Sequence, residues 1–159
     1  MGDRRSAAEG GGLLGEGVGE LGVVEPEVGA LGVEQSVGIA LALFGTVLTY
    51  YSSVRVLGDE SEALNVTKLL EVAGQLDPHV LKLAFIFLLV GYGTKIGLVP
   101  MHTWLPEAYT EAPAPVTAML AGVLETVAVY AVLRSKSIVD QALPPEFSGN
   151  LLMLFGFVS

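Results

Sequence analysis

From Gln35 to Val54 the chain reads "QSVGIALALFGTVLTYYSSV", twenty residues with no charge among them. A helix rises about 1.5 Å per residue, so this run reaches about 30 Å, the thickness of a bilayer's hydrocarbon core. It is read as a spanning helix, with Tyr50, Tyr51 and Arg55 as interfacial anchors at its end. The competing reading is a buried core helix of a soluble protein. Composition argues against that: 52% of the residues are hydrophobic and only 16% are charged, against roughly 25% charged in an ordinary soluble domain. Two more apolar runs follow, so that spans are expected at about 35–55, 79–99 and 114–134, and a further one opens near 150 with "LLMLFGFVS". The expected fold class is all-α, a polytopic transmembrane helix bundle with one broken helix, and the chain stops before its last span has crossed.

The formal net charge of −9 sits mostly outside these runs, in the segment up to Glu34 and in the loop from Asp59 to Asp77. With eight Lys plus Arg and no basic stripe, nucleic acid is not an expected partner. The chain has no cysteine, which excludes disulfides, iron–sulfur clusters of the usual kind and thiolate zinc sites on this chain. His79 and His102 stand apart with no flanking ligand pattern, so no metal site is expected. Residues 1–34, with phrases such as "GEGVGELGVVEPEVGALGV", follow neither a helical nor a strand period and are read as a low-complexity leader, disordered or not native. The stretch "LGDESEALNVTKLLEVAGQLDP" reads as a surface loop with a helical piece over Val66 to Val72.

Two charges lie deep inside apolar runs, Lys95 and Glu125. A charged residue at the centre of a spanning helix costs about 2.5–3.5 kcal/mol on insertion scales, so such residues usually face a bundle interior or water. Lys82, four residues into its run, is expected to snorkel to the interface. Around Lys95, Gly91, Gly93 and Gly97 weaken the helix and Pro100 cannot continue its hydrogen-bond ladder. The helix should break there, and broken backbone at membrane depth is tolerated only where it is buried in protein or lines a hydrated cavity. The second piece, "MHTWLPEAYTEA", is expected as a half-helix carrying His102 and Trp104, with Pro106 near its beginning and Pro113 closing it. Lys95 then sits where a polar path can exist; the alternative is a helix-end anchor at the membrane surface. In the third run Ala118, Ala121, Gly122, Glu125 and Ala128 share one face, which directs Glu125 toward a neighbouring helix. There it either holds a transferable proton or forms a structural ion pair.

The stretch "KIGLVPMHTWLPEAYTEAPAPVTAMLAGVLETVAVYAVLR" resembles the antiporter-like membrane subunits shared by respiratory complex I, Mrp-type sodium/proton antiporters and group 4 membrane-bound hydrogenases. "LLVGYGTKIGLVPMHTWLPEA" is most similar to the hydrogenase-4 and formate hydrogenlyase type. The resemblance implies inverted repeats, a broken helix in each, and a hydrated line of Lys, Glu and His along the membrane midplane. Lys95 matches the central lysine, His102 and Trp104 match the motif beyond the break, and Thr126 stands where complex I members carry a second lysine. The implied function is proton or sodium translocation in a respiratory-type oxidoreductase complex, with Lys95, Glu125 and His102 along the path. The resemblance also implies a multi-pass place in the cell's inner membrane, other membrane subunits and a peripheral redox arm as partners, and nickel–iron, iron–sulfur or flavin centres on those partners. The alternatives are a complex I-type subunit, a stand-alone Mrp-type antiporter, and a non-translocating fragment; no redox centre is expected on the chain itself.

Overall fold

The computed structural model describes the backbone from Gly17 and the side chains from Gly32 to Ser159. The chain divides into two units, 1–33 and 34–159. The packing set out below lies within the second. The described fold is helical: α1 Gly17–Leu57, α2 Val66–Val72, α3 Pro78–Ile96, α4 Trp104–Glu111, α5 Ala114–Met119, α6 Glu125–Ala142 and α7 Pro145–Val158. Among the described residues, three helical stretches are long and apolar enough to cross a membrane, Gly32–Leu57, Pro78–Ile96 and Ala114–Ala142.

Several boundaries differ from the sequence reading, each for a local reason. Helix α1 is described from Gly17, well upstream of residue 35, although the leader over 1–34 is expected to carry no helix. Once a span has nucleated a helix, each added residue gains a hydrogen bond at no further nucleation cost. The part of that leader before Gly17 lies outside the described residues. Helix α3 stops at Ile96 rather than Val99, because Gly97 adopts the left-handed region with φ 84°. The N–H groups of Gly97 and Leu98 then both reach the Gly93 carbonyl, each at 2.9 Å, closing the helix as left-handed caps do. Gly91 and Gly93 therefore lie inside unbroken helix, and Pro100 falls after the stop. The last helix starts at Pro145 rather than near 150, since proline at the first position of a helix loses no needed hydrogen bond.

The connection between α1 and α3 packs more deeply than a surface loop. Asn65 caps α2 by accepting from the Thr67 N–H at 3.1 Å, and Asp77 caps α3 by accepting from the His79 N–H at 2.9 Å. Leu69, Ala73 and Leu76 of this connection are buried with Leu81, Phe85 and Leu89 of α3, Val132, Ile138 and Val139 of α6, and Leu143. The Ser53 hydroxyl of α1 donates to the Ala63 carbonyl at 2.6 Å, tying the connection back to the first span.

Within the spans the helices meet backbone to backbone. A Cβ on Gly91 would fall 2.5 Å from the Ala42 nitrogen, and one on Gly38 would fall 2.1 Å from the Thr94 hydroxyl. Lipid tails give apolar side chains little reason to leave them, so close approach of this kind supplies the attraction between spanning helices. The third span carries a five-residue π turn, Leu120–Leu124, between α5 and α6. The run continues to Ala142, eight residues beyond the expected end at 134.

Candidate functional site at the break after α3

The last turn of α3 and the first of α4 face each other across residues 97–103. Lys95 is half-buried, and its Nζ donates to the Gln35 Oε1 on α1. The same Nζ lies 5.9 Å from the centre of the Trp104 ring, within reach of its negative face. Trp104 is buried, and its indole N–H donates to the Thr94 carbonyl at 2.6 Å. That carbonyl is one of those a helix end leaves without an internal donor, so the indole ties α4 to α3 through the group the break exposes. On the far side of the break the Thr103 hydroxyl donates to the Glu34 carboxylate, at 2.7 and 2.9 Å to its two oxygens. Adjacent residues of α1, Glu34 and Gln35, thus hold the two sides of the break. Sequence reading missed both, along with Thr94, Thr103 and Tyr109. Polar residues at the mouth of an apolar span were the available signal, but nothing in their spacing tells which residue some sixty positions away they meet.

Glu125 opens α6 beside the π turn and is half-buried. It accepts from the Tyr109 hydroxyl of α4, so the half-helix after the break reaches the third span. The face expected to bring a neighbour to Glu125 is only partly used. Ala128 is buried, while Ala118, Ala121 and Gly122 are exposed, and a Cβ on Gly122 would meet open space. The π turn adds a residue between these positions, which rotates Ala118 away from the stripe that Glu125 and Ala128 share. His102 is exposed in the connection, with no side-chain hydrogen bond among the described residues. Pro106 is the third residue of α4, and Pro113 stands immediately before α5. No hydrogen bond or ion pair joins Lys95, Glu125 and His102 to one another among the described residues.

A further polar cluster lies at the other end of the third span. Lys136 pairs with Asp140 one turn along α6, and the fully buried Ser148 of α7 donates to the same carboxylate. Lys82, near the start of α3, has its Nζ 5.5 Å from the centre of the Phe147 ring of α7. Between α1, α3 and α6 a cavity of about 30 Å³ is lined by Thr49 and Ser135 among Leu81, Phe85, Leu88 and Ile138, room for one water molecule.

Residues 32–159 match the family model described as NADH:quinone oxidoreductase/Mrp antiporter, TM. A hydrogenase-4 component F homolog of Methylacidiphilum infernorum is 46% identical over 123 residues, covering 77% of this chain and 26% of the relative. An NADH-quinone oxidoreductase subunit N of Desulforudis audaxviator is 37% identical over 110 residues, 69% of this chain and 21% of the relative. An NAD(P)H-quinone oxidoreductase chain 4 of Prochlorococcus marinus is 42% identical over 72 residues, 45% of this chain and 14% of the relative. The chain thus spans at most about a quarter of the length of these curated relatives, and no solved structure matches it. With the family model covering all three spans and the break between them, the chain belongs to the NADH:quinone oxidoreductase/Mrp antiporter family of multi-pass membrane proteins.

Proposed function

We propose that the chain is part of a proton- or sodium-translocating subunit of a respiratory-type oxidoreductase complex, such as a membrane-bound hydrogenase, in the cell's inner membrane. The observation that carries this is Lys95. It is a cation on the last turn of an apolar span, at a break where backbone carbonyls, an amide and an indole replace lipid. A lysine there takes up and releases a proton as its electrostatic surroundings change, and Glu125, reached from the same half-helix through Tyr109, is the next carrier. His102, exposed at the connection, passes protons to or from the aqueous side in this reading. Trp104 and the glycines and prolines of the break hold the geometry. The redox reaction belongs to partner subunits, a peripheral arm holding nickel–iron, iron–sulfur or flavin centres, and this chain's residues bind and move the ion.

The hydrogenase-type relative at 46% identity supports this reading over its neighbours. The NADH-quinone oxidoreductase relatives support a second, a complex I-type subunit, in which the electron donor and acceptor differ from those of a hydrogenase. A stand-alone antiporter is a third, and it exchanges ions with no electron donor present. The deciding experiment places Lys95→Ala in the full-length subunit within its complex and follows proton uptake by inside-out vesicles as electrons are supplied. Pumping coupled to electron transfer is expected to be abolished, and undiminished pumping removes Lys95 from the path. Ion exchange that persists with the donor withheld points instead to the stand-alone antiporter.

A further inference from the structure

The amide of Gln35 is half used. Its Oε1 accepts from Lys95, while its Nε2 is buried with no hydrogen-bond partner among the described residues. Buried polar atoms without partners are rare in folded proteins, and each calls for a reason. Here the reason lies in what Lys95 becomes when it loses a proton. An ammonium has only donors, but a neutral amine carries a lone pair and accepts. We propose that Gln35 is a positioning residue for Lys95 and follows its protonation by turning its amide over. With the ammonium, Oε1 faces the lysine, as in the structure. With the amine, a half-turn about the last side-chain torsion brings Nε2–H to the lysine nitrogen. That torsion is broad and roughly two-fold for amides, so the turn needs no movement of backbone. The proton leaves to water or to the next carrier, and the amide keeps both of its own.

The surroundings fit a side chain that can rotate but not withdraw. One turn further along α1, Gly38 presses against Thr94, which fixes the distance between the two helices at this level. The other titratable groups on the elements around Lys95 are Glu34 on α1, Tyr92 on α3, His102 in the connection, and Glu107, Tyr109 and Glu111 on α4. None of them is hydrogen-bonded or ion-paired to Lys95: Glu34 is engaged by Thr103, and Tyr109 by Glu125. Gln35 is therefore the side chain in a position to respond to the lysine's proton.

The inference takes the proposed proton carrier as its subject, but its test does not need transport. The chain has three glutamines, Gln35, Gln75 and Gln141. The full chain is placed in lipid nanodiscs with its glutamine side-chain nitrogens labelled with nitrogen-15, and their amide resonances are followed as pH is raised from neutral. The Gln35 signal is identified as the one missing in Gln35→Leu. Expected is a pH-dependent shift of Gln35 alone, lost in Lys95→Met and also in Lys95→Arg, whose guanidinium keeps its charge throughout. A Gln35 signal that stays fixed with pH, or one that still moves in either lysine variant, overturns the proposal. Failure here leaves the role of Lys95 in pumping standing, and failure of Lys95→Ala to stop pumping leaves the amide turn standing.

Discussion

Thr94 shows how much of the break rests on single atoms. Its hydroxyl turns back to the Gly91 carbonyl at 2.6 Å, and its carbonyl, past the reach of α3's own donors, takes the Trp104 indole. Removing that donor leaves a buried carbonyl unpaired, which costs about 1–3 kcal/mol. Trp104→Phe, which keeps an aromatic face for Lys95, is therefore expected to lower the thermal midpoint of the chain in detergent or lipid. An unchanged midpoint would show that water replaces the indole. Outside the membrane, Asp59 gives a sign-defined case. The Ser61 hydroxyl, and then the Ser61 backbone N–H, hold its carboxyl below its ordinary value. A carboxyl whose pKa is lowered by folding stabilises the folded form above its unfolded pKa and loses that contribution as pH falls through its folded one. Protection of the Ser61 amide, its exchange relative to an unstructured peptide at the same pH, should accordingly hold at neutral pH and fall away below the ordinary carboxylate range of about 3.9. Equal protection in Asp59→Asn across that range would rule out this cause.

Helix packing separates glycines that look alike in sequence. A Cβ at Gly91 would run into the Ala42 backbone at 2.5–2.8 Å, where no side chain can swing aside, whereas one at Gly122 would meet open space. Overpacking of this kind costs about 1–3 kcal/mol, while alanine in place of an exposed helical glycine gains up to about 1 kcal/mol of helix propensity. Gly91→Ala should thus destabilise the α1–α3 pair and Gly122→Ala should not, a contrast read from thermal melts of the two variants side by side. Equal melts would mean that α1 and α3 are not in backbone contact. The same contrast marks what was legible in the sequence. The spans could be read because lipid admits little but long uncharged runs, and the break because Gly97, Pro100 and Pro106 fall together. Reading Gly91 as a helix weakener missed its use, since the same missing side chain serves a break or a close contact and only the partner helix decides. The partners of Lys95 and Glu125, Gln35 and Tyr109, were beyond reach for a related reason: each contact joins different helices, and one-dimensional periodicity carries no register between them.

At the scale of the described spans, charge and apolar surface favour one orientation. Val37, Leu43, Phe44 and Val47 on α1, and Val116, Met119, Val123, Val127 and Tyr130 on the third span, are exposed. In water this would be a large aggregating surface, and in lipid it is a solvated one. Arg55, Lys68, Lys82, Arg134 and Lys136 all lie toward the end where α1 finishes, α3 begins and α6 finishes. Residues 97–113, at the opposite end, hold no Lys or Arg but include Glu107 and Glu111. Short cytoplasmic loops carry an excess of positive residues, while acids contribute little to the choice, so by the charges of the described spans the break and its half-helix should open to the outer face. Because the chain has no cysteine, the orientation can be read with one introduced thiol at a time. A membrane-impermeant maleimide applied to intact cells is expected to label Glu107→Cys, and to label Thr67→Cys only after the membrane is opened. The reverse pattern would put the basic end outside. His102 and the Lys95 break would then open to the cytoplasm, and the proposed path would take up protons where it is now expected to release them.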